Sequence, residues 1–149
     1  MWDLLWSDSF PLQVKGVTTA GTVEYKLADA TGSSDAATFE LNGTIVAGAK
    51  LKTTDIETVT VKISTNDESM DLSDLSMATA GATMKLAATG TKALTVSALN
   101  ADVTTIDASG MGTGGSFVQT GRSATAASTY TGSDGNDTFQ MKNSDDDID

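Results

Sequence analysis

The apolar residues of this chain recur mostly at every second position, in short runs separated by Gly, Asn, Asp and Ser. The clearest run is Ile56 to Ile63, in which Val59 and Val61 alternate with Thr and Lys. Such alternation predicts strands with one buried face, and no useful length of chain shows the 3.6-residue period of an amphipathic helix. The pattern therefore predicts an all-β protein.

The start of the chain contains its only bulky apolar cluster. The members of this cluster are Trp2, Leu4, Leu5, Trp6, Phe10, Leu12 and Val14. We expect Trp2, Leu5, Trp6 and Phe10 to be buried, because so large an apolar patch in water would invite aggregation. They would either cap one end of the core or contact another subunit, where Trp is often a hot spot.

The residues that follow predict a small antiparallel β region. Thr22 to Leu27 alternates cleanly, and the runs Ala37 to Leu41 and Thr44 to Ala47 flank the pair Asn42-Gly43. Asn-Gly is a strong hairpin signal, and clean alternation suits a sheet with one wet face. Together with the apolar cluster, this region forms a predicted N-terminal part, residues 1–52.

From residue 53 the β-prone runs are short, and their starts lie roughly 10 to 13 residues apart. They are Ile56–Ile63, Met70–Leu72, Thr83–Leu86, Ala93–Val96, Val103–Asp107, Ser116–Gln119, Ser128–Thr131 and Thr138–Met141. Such spacing fits a sandwich or a solenoid, and the Gly-, Asn- and Asp-rich turns and small inward residues favour the solenoid. We predict a right-handed parallel β-solenoid over residues 53–149, with coils of roughly 20 residues stacked ~4.8 Å apart.

The composition of the chain limits the partners and the kinds of site that it can have. The net charge is −11, so repulsion from phosphates argues against a nucleic-acid partner. The sequence has no Cys and no His, which removes thiolate sites, the usual zinc ligand and a Ser-His-Asp triad. Its many carboxylates suit Ca²⁺ as a ligand. The sequence has no run of about 20 apolar residues, so it predicts no membrane-spanning helix.

A calcium-binding nonapeptide pattern, G-G-x-G-x-D-x-U-x with U a large apolar residue, lies near the end of the chain. Gly132 to Gln140 fits it at every specified position but one, where Ser133 replaces the second Gly. Met141 to Asp149 is a worn copy in the same frame, with Asp146 and Ile148 at the Asp and apolar positions. Two copies in phase predict the start of a β-roll.

The pattern also names candidate calcium ligands. They are Gly132, Asp134, Asn136, Asp137 and Asp146, with carbonyl oxygens from the turn and carboxylates from the Asp residues. Since two nonapeptides make one coil, Asp137 needs a partner near Gln119 and Asp146 one near Ser128, or else at the equivalent positions past residue 149. We therefore expect half-sites, or a site completed by Asp134 and upstream carbonyls; an acidic turn without metal is the alternative.

Three further segments resemble a known family. Asp55 to Val61 resembles the recurring n-I-E-t-v-n-v strand of Gram-negative surface-layer proteins with RTX-type (hemolysin-type) calcium repeats. Ala93 to Leu99 and Val103 to Gly110 are similar to their a-L-t-v-t-g-l and v-t-t-I-D-A-S repeats, and Gly132 to Gln140 to their nonapeptide. The resemblance covers about residues 35 to 149. It implies a β-solenoid, type I secretion and calcium-stabilised assembly at the cell surface.

We thus expect a structural, non-enzymatic component of a secreted, calcium-dependent surface layer that self-assembles into a lattice or oligomer, with surface polysaccharide as a further candidate partner. An adhesin or a virion surface protein, of the decoration or fibre type, on the same solenoid is the alternative. A calcium-dependent polysaccharide lyase ranks third. Such β-helix enzymes combine calcium-binding carboxylates with a basic residue, and the only arginine here is Arg122, in a Gly/Ser/Thr loop.

Overall fold

Parallel strands run through the whole of the described chain. The computed structural model describes residues 12–17, 19–123 and 126–149. Its strands are β1 (Leu12–Lys15), β2 (Thr22–Tyr25), β3 (Ala36–Asn42), β4 (Lys50–Thr54), β5 (Thr58–Ile63), β6 (Glu68–Ser76), β7 (Met84–Gly90), β8 (Ala93–Leu99), β9 (Val103–Met111), β10 (Ser116–Gln119), β11 (Thr129–Thr131) and β12 (Asp147–Ile148). In these residues we find no helix with the length and apolar character needed to cross a membrane.

The strands alternate between two sheets, so that the chain winds as a β-solenoid of about five turns. One sheet has seven strands in the order β1-β3-β5-β7-β9-β11-β12, and the other has five in the order β10-β8-β6-β4-β2. Neighbouring strands in both sheets belong to successive coils and pair in parallel. The all-β parallel solenoid predicted from the sequence is confirmed.

The interior consists of columns of side chains that stack from coil to coil. In the seven-stranded sheet, Ala37, Val59, Leu86, Ile106 and Tyr130 lie in register, and each is at most 6% exposed. Burying one such aliphatic side chain is worth about 1.5–3 kcal/mol. Every second strand residue points inward and joins such a column. The apolar residues whose alternation predicted the strands are therefore the residues that fill the narrow core.

The predicted antiparallel pairing before residue 53 is wrong for the described residues. Strand β1 pairs with β3, and β2 pairs with β4, both in parallel. Asn42 ends β3, and Gly43 has a φ of 91° where the chain turns towards the other sheet. An Asn-Gly pair marks a place where positive φ is easily adopted, and a solenoid corner uses such a place as readily as a hairpin does.

Two predicted strands also differ from the structure. Thr44 to Ala47 lies in a corner, with Ile45 buried, and the strand comes later, as β4. At the other end, Thr138 to Met141 contributes a single parallel bridge, between Val118 and Thr138. The apolar residues Trp2, Leu5, Trp6 and Phe10, predicted to be buried, lie outside the described residues.

Candidate functional site

The two nonapeptides form one coil of 18 residues. Tyr130 pairs with Ile148, 18 residues further along the chain, while Val118 pairs with Thr138 in the other sheet. Earlier coils are longer: Thr58 pairs with Lys85, 27 residues on. The length of the two nonapeptides thus equals the length of the last coil. The turn predicted in each nonapeptide forms one corner of that coil, and both corners stack on the coil below.

Gly135, the third glycine of the pattern, lies against the backbone of the coil below. A Cβ atom on Gly135 would come within 2.0 Å of the carbonyl oxygen of Gly115. The same close approach occurs at Gly121, where a Cβ would lie 2.2 Å from the carbonyl oxygen of Ser97. Glycine is therefore required at Gly135 by the stacking of coils, independently of any metal.

The carboxylate of Asp137 accepts hydrogen bonds on both oxygens. Oδ1 accepts from the backbone N–H of Phe117 at 2.7 Å and from Oγ of Ser133 at 2.8 Å, and Oδ2 accepts from the backbone N–H of Ser133 at 2.5 Å. Phe117 lies 20 residues upstream, in the coil below. The carboxylate thus joins its own turn to that coil, and Ser133, the departure from the pattern, supplies two of the donors.

Asp146 is held in the same way at the next corner. Its Oδ1 accepts from the backbone N–H of Ser128 at 2.9 Å, and its Oδ2 from those of Lys142 at 2.9 Å and Asn143 at 3.0 Å. Burial raises the pKa of Asp146, but the hydrogen bonds from Asn143, Lys142 and Ser128 together outweigh it, so the pKa is lowered. The sequence argument placed the partner of Asp146 near Ser128; the contact there is with a backbone amide.

The other candidate ligands share the first of these corners. A Cβ on Gly132 would lie 3.0 Å from Oδ2 of Asp137, so these two residues are adjacent. Asp134 and Asn136 are exposed to solvent at the turn. Asp146 lies one corner further on, after the bridge at Thr138.

The acidic members of this set do not come together as a metal-binding cluster in the described residues. No group of three or more His, Cys, Asp or Glu residues within the described ranges is arranged to hold a metal. The carboxylate oxygens of Asp137 and Asp146 face N–H and O–H donors of the corners. The calcium assignment stays a prediction, and the observed role of the two carboxylates is to accept corner amides.

The same contact recurs up the solenoid, and we call the acidic residues that make it the corner carboxylates. In addition to Asp137 and Asp146, they are Asp55 (accepting from Ala78 N), Glu57 (Asp35 N), Asp67 (Ala93 N), Glu68 (Ile45 N) and Asp102 (Met77 N). In these five contacts, donor and acceptor are 22 to 26 residues apart, which is one coil. Most of these amides lie outside the strands, and those of Ala93 and Phe117 lie at the start of β8 and within β10; each donates to a carboxylate of a neighbouring coil.

Sequence reasoning missed the corner carboxylates other than Asp137 and Asp146. Glu68 is the clearest case, because it is only 5% exposed and Oε2 accepts from Ile45 at 2.9 Å. An acidic residue beside a turn has the same sequence signature whether it is solvated or bound to an amide. The length of a coil could have revealed these contacts. A carboxylate lies beside the backbone about one coil, 22 to 26 residues, away in the sequence.

A buried polar cluster lies inside the solenoid next to the last coil. Arg122 is 8% exposed and donates to the hydroxyls of Tyr130 and Ser128 and, at 3.0 Å, to the carbonyl oxygen of Val103. Burial raises the pKa of Tyr130, which the nearby Arg122 partly offsets. The basic residue considered for a lyase is thus buried in the core.

An open groove of about 400 Å³ lies along one corner of the solenoid. It is lined by Ala30, Thr31, Gly32, Ser33, Asp55, Glu57, Met77, Thr79 and Ala82. Hydroxyls and carboxylates therefore dominate its polar surface. Asp55 and Glu57 each also serve as a corner carboxylate, at 2.6 Å and 2.7 Å from their amide nitrogens.

No known protein family matches this chain, and no characterised protein and no solved structure gives a significant match to it. Function is therefore inferred from the fold, from the contacts above and from the resemblance of its sequence segments.

Proposed function

We propose that this chain is a structural module of a secreted cell-surface assembly, of the surface-layer type that its RTX-type segments resemble. The observation that carries the proposal is the last coil, in which two nonapeptides make one 18-residue turn that continues the parallel stack. A repeat that matches the coil length supports the view that the nonapeptides belong to the solenoid's architecture.

The contacts between coils suit a load-bearing role. Each coil is joined to the next by a parallel backbone ladder, and the corner carboxylates add charge-assisted hydrogen bonds where the ladder is interrupted. The net charge of −11 favours solubility. Such a stack resists local opening because each coil contacts its neighbours along its whole length.

Immunogold electron microscopy of intact source cells tests the location. Antibodies raised against the folded chain are expected to label the outer surface densely and to find the protein in the extracellular or surface fraction. Labelling confined to the cell interior, with none on intact cells, would contradict the proposal. This readout does not depend on which face of the molecule makes contacts.

Calcium dependence is tested separately by thermal unfolding. An ion at 100 times its Kd adds about 2.7 kcal/mol, which would raise the Tm of a chain this size by roughly 5–10 °C. Because Asp137 and Asp146 face amide donors, we expect millimolar Ca²⁺ to shift the Tm by less than about 2 °C relative to equal Mg²⁺. A larger, Ca²⁺-specific shift that is lost in Asp137→Asn would instead establish the calcium site predicted from the sequence.

The groove favours the second candidate, an adhesin or virion surface protein that binds glycan. Thr31, Ser33 and Thr79 place hydroxyls along an open corner of the solenoid. Asp55 and Glu57 lie beside them, each with one carboxylate oxygen bound to a backbone amide. Glycan-array screening with the intact chain tests this candidate. Glycan binding that is reduced by Thr79→Val but unaffected by Thr138→Val, a matched exposed change outside the groove, would favour the adhesin. An array on which the chain binds no glycan would exclude this candidate.

A further inference from the structure

The buried cluster around Arg122 includes polar atoms that have no hydrogen-bond partner in the described residues. Gln119 is 1% exposed, and neither its amide oxygen nor its amide nitrogen makes a hydrogen bond there. Nε of Arg122 and Oε1 of Gln140 are also buried without a partner in that part of the chain. Buried polar atoms are nearly always hydrogen-bonded, so several unpaired ones in one place indicate a bound water or ion.

Hydrogen bonds bring these residues together between the last coil and the coil below it. The backbone N–H of Gln119 donates to the carbonyl oxygen of Thr138 at 2.8 Å, and Thr138 lies two residues before Gln140. The hydroxyl of Tyr130 donates to the carbonyl oxygen of Gln140 at 3.5 Å and accepts from Nη1 of Arg122. The cluster therefore spans the core, from the end of β10 to β11 in the opposite sheet.

Gln119 and Arg122 follow each other along the inner side of the same coil. Gln119 pairs with Val96, and Ser123, the residue after Arg122, donates its N–H to the carbonyl oxygen of Leu99 at 3.0 Å. Arg122 is 8% exposed, so both side chains are directed into the core. Three residues span at most about 11 Å, a distance that two side chains of this length can bridge.

The guanidinium of Arg122 is a buried positive charge that no described carboxylate pairs with directly. It donates to the hydroxyls of Tyr130 and Ser128 and to the carbonyl oxygen of Val103, which are neutral groups. None of the ion pairs between described residues includes it. Ser128 also contacts Asp146, whose carboxylate accepts three backbone amides. A charge buried in this way is costly unless an opposite charge lies against it.

We propose that this cluster binds a small monovalent inorganic anion of the size of chloride. The unpaired N–H of Arg122 and the amide N–H groups of Gln119 are the donors that would hold it. Water can pair with the amide oxygens of Gln119 and Gln140, but it leaves the guanidinium charge unbalanced, and for this reason we assign an anion. The inference goes beyond the proposed function and does not depend on it, because the site is internal.

Thermal unfolding of the intact chain in sodium chloride and in sodium gluconate tests the site. Equal ionic strength keeps the screening of the net charge of −11 the same in both salts. Chloride at 100 times its Kd should raise the Tm by roughly 5–10 °C relative to gluconate, which is too large for an enclosed site, and bromide should act like chloride. A difference below about 1 °C overturns the inference and leaves a cluster that holds water alone.

Gln119→Glu is the informative variant, because it places a carboxylate beside Arg122 where we place the anion. Its Tm in gluconate should equal or exceed that of the native chain, and chloride should no longer raise it. Asn66→Asp makes the same change of charge at an exposed corner and should keep the full response to chloride. A response that persists in Gln119→Glu, or that is lost equally in Asn66→Asp, would contradict the site.

Anomalous X-ray scattering from crystals of the native chain grown in bromide supplies a measurement that needs no variant. The bromide peak is expected between Nε of Arg122 and the amide nitrogen of Gln119. Bromide found at the protein surface but not in the cluster would show an adventitious ion only and would overturn the inference.

Discussion

At the scale of single residues, the corner of the first nonapeptide shows two separate constraints. Gly135 is set by sterics, because its Cα lies where a Cβ would strike the carbonyl oxygen of Gly115 at 2.0 Å. Asp137 is set by hydrogen bonding, because it accepts the N–H of Phe117 from the coil below at 2.7 Å. Both residues are demanded by the stacking of coils, and each can be tested alone.

Gly135→Ala is expected to lower the free energy of unfolding by about 1–3 kcal/mol, since the coil must shift to admit a methyl group. Gly112→Ala is the matched control, because a Cβ there has only ordinary contacts, the nearest at 3.9 Å from Thr91. Urea unfolding followed by circular dichroism measures both. Equal stability of the two variants would contradict the close approach.

Asp137→Ala leaves the amide of Phe117 without its acceptor, and we expect a loss of about 1–3 kcal/mol in the free energy of unfolding. Asp134→Ala changes an exposed aspartate in the same turn and should cost less than about 0.5 kcal/mol. Amide exchange of Phe117, measured by NMR, should accelerate in the first variant and not in the second. Unchanged exchange at Phe117 would show that the carboxylate is dispensable.

At the scale of strands, opposite charges on the outer faces link neighbouring coils. Lys85 on β7 lies 2.6 Å from Asp107 on β9, and both side chains are partly exposed. The ammonium of Lys85, with the hydroxyl and amide of Ser109, lowers the pKa of Asp107 despite partial burial. Since the folded pKa is below the unfolded one, this carboxylate stabilises the fold above its unfolded pKa, and the effect is lost as the pH falls through its folded pKa.

We therefore expect Asp107→Asn to reduce stability near pH 7 by about 0.2–1 kcal/mol, the range of exposed ion pairs. Below the folded pKa of Asp107, variant and native chain should converge, because the native carboxyl is then also neutral. Urea unfolding at a series of pH values from 7 to 2 measures this difference. A difference that stays constant down to the lowest pH would show that the ion pair contributes nothing.

At the scale of the whole molecule, each coil is supported by its two neighbours, so stability should vary along the axis. The central strands β5 to β8 have ladders on both sides, while β12 has two residues and a ladder on one side. Local opening has the lowest free energy where ladders and buried contacts are fewest. The protein is therefore expected to open from the last described coil.

Hydrogen exchange with mass spectrometry should find the slowest amides in residues 58–99 and much faster exchange in residues 132–149. Equal exchange rates in the two segments would contradict the expectation that stability falls towards the last described coil.

The alternation of Val59, Val61 and Ile63 was enough to predict a strand and its inward face, whereas the parallel stack was predicted from the short, near-evenly spaced runs and the Gly-, Asn- and Asp-rich turns between them. Alternation does not say which strand is the neighbour, and for this reason the pairing before residue 53 was predicted as antiparallel. Strand β4 was missed because Lys50, Lys52 and Thr53 dilute its apolar signal.

The sequence predicted that Asp146 lies near Ser128, but not which atoms meet there. The nonapeptide period correctly placed Ser128 beneath Asp146, since the coil has 18 residues. The partner atom there is a backbone nitrogen, which every residue except proline has, so the side-chain sequence cannot report it. Ser133, which donates to Asp137, looked like a departure from the pattern and proved to be part of the corner.

The unequal length of the coils has a consequence for how such a chain changes over generations. Paired residues are 27 positions apart between β5 and β7 but 18 apart between β11 and β12, yet both pairs remain in register within one sheet. The corners absorb the difference, so insertions and deletions there need not disturb the columns inside. New loops, with new surfaces, can therefore be acquired at the corners while the same scaffold is inherited unchanged.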